Sequence, residues 1–539
     1  MPVDPIQIVA LFDQTESDRR VWENHWQEVA DVVMPQVGFT SKMTPGSKRQ
    51  TRIFDDTAWK AGDRLAFAIF STTINPVVKW FGLKTRDQSV NGSRDVQAWL
   101  KDTADHLLGV FNSPRSGFSL SAHEVITDLV FFGTSVFMTL DGTTRAKFVN
   151  RPLSECYLVE DEEQRVNRVY RKFQMKLHEM AAMRGPGKGW SLSRKTTERL
   201  EQAKPEALAS EDVTILHVVY ERDEHDPLRR DGPNKRWASL YIEHEQKHVL
   251  KEGGFDRNPY KTPRWSKSSG ETYGRSPAIK SLPSIKGLNV IKKTVLQAGE
   301  KAVDPPLQVP SNGMEGPIAT VPGALIYYRA GAGGGNQGPI TPLLGGDPRL
   351  GHQIVELERQ NIRENFYWDI LQLPELDRMT ATEVMQRVQQ RMTVLAPVLA
   401  RMIGEWLSPA IEDTFFIEMA GGRLPPPPPE IAAAGLDIEY FGPLAIAQQA
   451  SEANNIERLF NQSTPLLTVD PTAARVFNAP VIIRNLARFN NVHPDNLRSE
   501  QEFEAMQQQE QQLAALTAGA AAAKDAGSAI KDVATAGAL

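Results

Sequence analysis

The stretch LPSIKGLNVIKKTVLQAGEKAVDPP, residues 282–306, decides the architecture. Leu282, Ile285, Leu288, Ile291, Val295 and Ala298 recur at three- and four-residue intervals, which places them on one face of a helix. That helix is expected over 281–303, roughly 30 Å at about 1.5 Å per residue, and Asp304-Pro305-Pro306 stops it. Residues 304–346 are rich in Pro and Gly, with a strand-like Ala324-Leu-Ile-Tyr-Tyr and the loop Ala330-Gly-Ala-Gly-Gly-Gly-Asn-Gln-Gly. A second helix is expected over 347–371, with Pro348 in its first turn and Ile354, Leu357, Ile362, Phe366 and Ile370 along it, about 35 Å by the same rise. Two helices of similar length around a compact insert predict an antiparallel pair with a small lobe at its far end.

Downstream, Leu371-Gln-Leu-Pro-Glu-Leu-Asp-Arg-Met breaks the second helix at Pro374. A third, longer helix is expected over 380–422, because Thr380 and Glu383 have capping-box spacing. Its apolar face is Val384, Val388, Leu395, Leu399, Met402, Trp406 and Ile411, and Pro397 inside it predicts a kink. Pro425–Pro429 reads as a stiff spacer, followed by helical segments to about residue 500 and a Gln- and Ala-rich tail over 501–539. Upstream, the first ~140 residues read as helical, with Trp22, Trp26, Val29 and Val33, then Leu65 and Ile69, then Leu100, Leu107 and Leu108 at helical spacing. Alternating stretches between about Ala146 and Gly254 read as strands, with the polar segment Arg184–Arg199 as an exposed excursion. The class is α+β, mainly helical, and no tandem repeat of fixed period is visible.

The chain has 539 residues, with 61 basic against 66 acidic side chains and a net charge of −5. Tight DNA binding over a broad face needs a basic surplus, so that class is not expected, whereas passage of DNA past a neutral or acidic wall is compatible with the charge. The single cysteine, Cys156, excludes an internal disulfide framework and a four-cysteine zinc site within one chain. The start, MPVDPIQIV, lacks the basic and apolar regions of a secretory signal. The charge-free apolar runs Arg64–Lys79 and Asp128–Asp141 fall short of the ~20 residues of a membrane span. The expectation is a soluble protein of a reducing compartment with no membrane partner.

Three motif matches fail on context. His244-Glu245-Gln-Lys-His248 fits the HExxH zinc-hydrolase pattern, but it stands between two strand-like runs, and a hairpin does not gather residues i and i+4 around a metal as a helix does. Gly333, Gly335 and Gly338 have dinucleotide-loop spacing, yet Pro339 and Pro342 follow where a helix would have to begin. Around Gly187-Lys188 a phosphate loop would need Gly at 182 and Ser or Thr at 189; the chain has Ala182 and Gly189. Cys156 reads as a packed side chain of a strand, and the Trp22/Trp26 pair as core or subunit contact. No catalytic residue, cofactor site or metal ligand is assigned, and no enzyme activity is expected.

The order of parts is more informative than any motif. Helix, Pro/Gly-rich lobe, returning helix, short loop and long kinked helix resemble the stem, clip, stem, tunnel loop and wing helix of phage portal proteins. Local detail is similar to the head-to-tail connector family of short-tailed double-stranded-DNA phages, in Ile53-Phe-Asp-Asp-Thr-Ala, Trp80-Phe-Gly-Leu, His123-Glu-Val-Ile-Thr-Asp-Leu-Val-Phe-Phe-Gly-Thr, Tyr273-Gly-Arg-Ser-Pro-Ala, Glu300-Lys-Ala-Val-Asp-Pro-Pro-Leu and Thr380-Ala-Thr-Glu-Val. The resemblance spans about residues 50–410.

It implies a wing over 1–280 with a β subdomain at 146–254, stem helices at 281–303 and 347–371, and a clip at 304–346. It further implies a tunnel loop at 372–379, a long wing helix at 380–422, a spacer and helical crown at 423–500, and a terminal barrel or tail helix at 501–539. The implied assembly is a ring of about twelve subunits at a capsid vertex of the virion, made in the host cytoplasm. Double-stranded DNA would pass through it during packaging and ejection. Its partners would be the terminase large subunit, tail adaptor or tail tube proteins, and the major capsid and scaffolding proteins. The implied channel residues are Arg378, Met379 and Gln372 in the loop and Lys286, Lys292 and Lys293 in the stem; the implied terminase and adaptor contacts are Pro305, Glu315, Tyr327, Tyr328 and Arg329. The competing readings are a non-channel adaptor or scaffold module and, more remotely, a zinc hydrolase through His244, Glu245 and His248.

Overall fold

The computed structural model describes residues 4–40, 46, 53–76, 78–87, 93–142, 144–184, 189–202, 205–222, 224–225, 232–311, 321, 324–329, 341–342, 348–371, 394–434, 436–440, 455–459, 461–463, 477–489, 496–498, 502–503, 505–513 and 516. In chain order the elements are α1 (Pro5–Val32), α2 (Thr57–Thr73), β1 (Phe81–Thr85), α3 (Arg94–Asn112), α4 (Phe118–Phe132), β2 (Val136–Asp141), β3 (Ala146–Arg151), β4 (Cys156–Glu160) and β5 (Val166–Lys176). They continue with α5 (Leu177–Met183), α6 (Arg194–Gln202), α7 (Pro205–Ser210), β6 (Asp212–Glu221), β7 (Trp237–Glu243), β8 (His248–Phe255), β9 (Tyr260–Lys261), α8 (Pro277–Val303), β10 (Leu307–Ser311), β11 (Leu325–Arg329) and β12 (Thr341–Pro342). The last are α9 (Pro348–Asn365), α10 (Trp368–Leu371), α11 (Val394–Ala420), α12 (Pro429–Ala434), β13 (Leu436–Tyr440) and α13 (Ala479–Phe489).

The chain divides into two compact units, one of Met1–Val78 with Gly109–Arg423, the other of Lys79–Leu108 with Leu424–Leu539. The second unit is joined by a strand pair the sequence did not reveal. β1 runs antiparallel to β13, Phe81 opposite Tyr440, and Trp99 Nε1 donates to the Pro425 carbonyl at 3.1 Å. The N-terminal region is therefore not wholly helical. A five-residue strand whose partner lies hundreds of residues away leaves no local signal.

In the first unit, β4–β8 form an antiparallel meander in the order β4-β5-β6-β7-β8. Strand alternation splits its side chains between two faces. Tyr170, Leu216, Val218, Leu240 and Ile242 cluster with Val9 and Phe12 of α1. Val213 and Ile215, of opposite parity in β6, cluster with Leu177 and Met180 of α5, with Trp190, Leu192, Leu200 and Leu208 packed alongside. The segment around Arg184–Arg199 is thus no plain excursion. Among its described residues, 189–199 lead into α6, where buried Thr196 donates to Glu243 of β7 at 2.5 Å, and cover one face of the sheet. Its charged residues disguised a helix whose few apolar positions suffice.

The remaining core is aromatic. Phe111, Phe118, Phe137 and Phe148 pack ring against ring, and Trp406 of α11 closes on Phe137 at 5.5 Å. Carboxylates hold α11 in place. Arg264 contacts both Glu160 and Glu405, Lys261 meets Asp413 at 2.5 Å, and Glu418 accepts from the Ala146 amide at 3.0 Å. By length and composition α11 could cross a membrane. Its Glu405, Asp413 and Glu418 are instead paired with the protein's own strands and loops, as in a core helix. The irregularity in α11 is a π-turn at Ile403–Leu407. The carbonyl one turn before Pro397 belongs to Thr393, outside the described residues, as does the helix start expected at Thr380.

Two fully buried titratable groups give this fold a pH signature. Burial, with Arg171 and Arg151 adding repulsion, lowers His217 to about 3, and its ring contacts Tyr260 Oη and Ser239 Oγ at 3.0 Å each. Burial raises Asp128 to about 7, against the hydrogen bonds from Asn150 and Ser135. Between the ordinary histidine value of 6.5 and about 3, only the unfolded chain protonates at His217, so acidification destabilises the fold. Between 3.8 and about 7 the folded chain holds a proton at Asp128 that the unfolded chain has lost, so raising the pH also destabilises it. Asp128→Asn should therefore raise Tm more at pH 8 than at pH 5, and His217→Gln should flatten the acid limb of Tm against pH. An Asp128→Asn gain that is equal at both pH values would refute the linkage.

Candidate functional site

The site is the α8–α9 helix pair and the way the first unit holds it. At its root two chain segments cross. Gly133 has φ 82°, and a Cβ there would lie 2.3 Å from the Gly274 carbonyl oxygen; a Cβ on Gly274 would lie equally close to the Gly133 oxygen. Hydrogen bonds lock the crossing: Trp265 N to the Gly133 oxygen at 2.9 Å and Gly274 N to Thr134 Oγ1 at 2.8 Å. Two residues on, Ser276 caps α8. Its Oγ accepts from Ile279 N at 2.9 Å and donates to the Phe131 carbonyl at 2.7 Å.

From this cap α8 runs through the core as far as Asn289, with Ala278, Leu282, Ile285 and Leu288 buried, and no residue from Val290 to Val303 is buried. α8 thus leaves the body halfway along. α9 packs back along it so closely that a Cβ on Gly351 would sit 2.5 Å from Val295 Cγ2. Beyond the end of α8 lies a small sheet with β10 central, parallel to β11 and antiparallel to β12.

A clamp grips the pair where it emerges. Asn289 Oδ1 accepts from Phe54 N at 2.9 Å and Asp55 N at 3.2 Å, binding α8 to the segment before α2. Asp55 Oδ1 accepts from Thr57 N, and its Oδ2 receives Arg359 Nε at 3.0 Å and Nη2 at 2.6 Å from α9. Burial alone would raise the Asp55 pKa, but the Thr57 hydrogen bonds and Arg359 outweigh it and hold the carboxyl below its usual range. Beside the clamp is a cavity of about 300 Å³ lined by Asp56, Thr57, Lys60, Arg359, Arg363 and Trp368.

The helix expected over 347–371 is not continuous. α9 ends at Asn365, Tyr367 takes φ 57°, and α10 starts at Trp368. The apolar residues flanking the break continue the helical pattern, which hid it. Lys286 lies on α8 and pairs with Glu28 at 2.6 Å, and Lys293 sits over the Phe54 ring at 5.8 Å. Lys286 and Lys293, seven apart, share a face; Lys292 is rotated about 100° from Lys293. Pro305 is half-buried just past α8. Tyr327, Tyr328 and Arg329 lie in β11. Arg378, Met379, Gln372 and Glu315 fall outside the described residues, as do the loops at Gly187 and Gly333–Gly338.

His244 and His248 flank a hairpin turn and go separate ways, His244 Nε2 towards Asp13 Oδ1 at 3.4 Å and His248 Nε2 to the Ser191 carbonyl at 2.9 Å. Cys156 is buried and its thiol is pushed up to about 12 by that burial. Asp55, Asn289 and Arg359 escaped the sequence reading. The doublet Asp55-Asp56 before a helix is a capping signal, but nothing local pairs it with residues so distant.

These features define a mixed helix-and-sheet body from which a clamped helix pair carries a small sheet. Residues 7–497 match the family model described as bacteriophage head to tail connecting protein, and the chain belongs to that family. It is 30% identical over 484 residues, 88% of this chain and 85% of the relative, to a "Probable portal protein" of Bordetella phage BPP-1. It is 25% identical over 535 residues, 96% and 94% of the two chains, to a "Portal protein" of Salmonella phage epsilon15.

Because Arg359 is the clamp's cationic half and Asp55 is buried, Arg359→Ala should lower unfolding free energy by about 2–4 kcal/mol. Arg359→Lys should recover only part of the loss, since one ammonium cannot supply both donors of the fork. Urea midpoints for the two variants equal to wild type would show that the clamp carries no load.

Proposed function

We propose that this chain is the portal subunit of a short-tailed double-stranded-DNA phage. Twelve copies form a ring at one vertex of the virion capsid. DNA enters through the ring during packaging and leaves through it on ejection, while the ring docks the terminase and later the tail. The portal names of the two relatives, over 85% and 94% of their lengths, carry this reading. In it, 1–280 form the wing, 281–303 and 347–371 the stem helices, 304–346 the clip, and 372–379 a loop into the channel, with Arg378 its phosphate contact. Residues 380–422 are the long wing helix, 423–500 the spacer and crown, and 501–539 the terminal part. The terminase and tail adaptor meet the clip around Pro305, Glu315, Tyr327, Tyr328 and Arg329.

The surface of the helix pair supports a second copy as the neighbour. Leu296 and Val303 follow Ile285 by 11 and 18 residues, which at about 100° per residue returns them to within roughly 20° of the same direction. Ile285 is buried, whereas Leu296 is 48% and Val303 89% exposed. On α9, Ile354 is 48% and Leu357 60% exposed, away from buried Val355, Ile362 and Phe366. The contact is heterologous: the α8 face of one subunit covers the α9 face of the next, and repetition closes the ring. At −5 per chain, twelve copies carry about −60, so DNA slides past a mainly repulsive wall with few basic contacts.

Light scattering and negative-stain microscopy of the purified chain should show particles of about 700 kDa with an axial hole; twelve times the 60.0 kDa chain gives that mass. Leu296→Glu combined with Leu357→Glu should yield monomers with unchanged helical circular dichroism. Rings that persist in this double variant would move the contact elsewhere, and a wild-type chain that stays monomeric with scaffold added would favour an adaptor. Arg378→Ala should leave rings intact and change DNA packaging or retention; loss of rings would remove that loop from the channel.

A further inference from the structure

We infer that Tyr367 is a two-state joint between α9 and α10, and that Arg64 holds it bent. Tyr367 has φ 57°, a left-handed conformation that a side chain with a Cβ adopts at a cost and keeps only when its neighbours enforce it. Both neighbours are pinned to α2. Phe366 is fully buried and lies 3.3 Å from where a Cβ on Gly62 would project. Trp368 lies under the Arg64 guanidinium, 4.2 Å from the ring centroid. The first anchor is closed within the core. The second is only half-buried, and Trp368 borders the cavity of about 300 Å³ between α2 and α9.

The two anchors are therefore unequal. Releasing Trp368 from Arg64 costs one cation–π contact at a partly exposed site, and the cavity gives the indole room to move. Returning Tyr367 to right-handed φ then relieves its backbone strain and runs α9 straight into α10. α10 takes a new direction, while α9 itself stays fixed by Arg359 and Asp55. The joint stands on this geometry alone, whatever the segment after α10 does.

Spin labels at Gln353→Cys and Asp369→Cys, both exposed positions, report on it in full-length chain diluted with unlabelled protein. Cys156 is buried and stays unlabelled. A continuous helix sets the two backbones about 24 Å apart at 1.5 Å per residue, and the bent form gives a separate distance. Pulsed dipolar measurements should find both. Tyr367→Gly should leave only the bent distance, and Tyr367→Ile should shift the ratio towards the straight one about tenfold. If Tyr367→Ile does not fold, Arg64→Gln provides the same shift by removing the cation that holds Trp368. One unchanged distance in wild type, Tyr367→Gly and Arg64→Gln would make the bend fixed and overturn the joint.

Discussion

The crossing of Gly133 over Gly274 is the contact on which the rest depends. Neither position has room for a Cβ, so the two backbones meet at a distance no other residue permits. The crossing fixes the end of α4 and the cap of α8 together, because Ser276 bonds the Phe131 carbonyl from the far side of it. A lever runs from that point. α8 continues for 27 residues, so a few degrees of error at its cap would displace its tip by ångströms. The burial of α8 up to Asn289 and the clamp of Asn289, Asp55 and Arg359 remove that freedom where the helix leaves the core.

Charge serves orientation here more than stability. A buried ion pair gains little over apolar packing, because desolvating both partners consumes most of the attraction. Yet Asp55, Glu405, Asp413 and Glu418 are each committed to named cationic or amide partners on other elements. An apolar stripe would let α11 slide or rotate between near-equal packings. Three carboxylates, each with its own donors, permit one register. Lys261 shows the cost: burial lowers its pKa even with Asp413 beside it.

The stretches that made the sequence legible are those the fold uses at its tightest points. Phe131-Phe-Gly-Thr and Tyr273-Gly-Arg-Ser form the crossing, and Phe54-Asp55 forms the clamp. The long helices were readable because α8 and α11 keep one apolar face over many turns. The meander was readable because β5–β8 pair in sequence order, each strand with the next. The β1–β13 pair was not, since pairing across hundreds of residues has no local period. Nor was the break at Tyr367, because Phe366 and Trp368 extend the helical pattern across it and only the backbone angle reveals it. The clamp escaped for a third reason: Arg359 reads as an ordinary solvated charge until the fold brings Asp55 to it.

One sequence feature, the even apolar stripe of α8, gains its meaning from where the body ends. Inside the unit, Ile285 needs no further explanation. Past Asn289 the same direction carries Leu296 and Val303 into solvent, where the helix pair by itself gains nothing from apolar residues. Polar residues would serve a free arm better, and the neighbouring lysines show that they are tolerated. Uncovered faces on both helices of one arm leave two surfaces to be met at once. Two distinct faces, one on each helix, are met together either by a two-fold partner that sets each against the other or by a neighbour on either side, and the second arrangement is the head-to-tail contact of the ring proposed above.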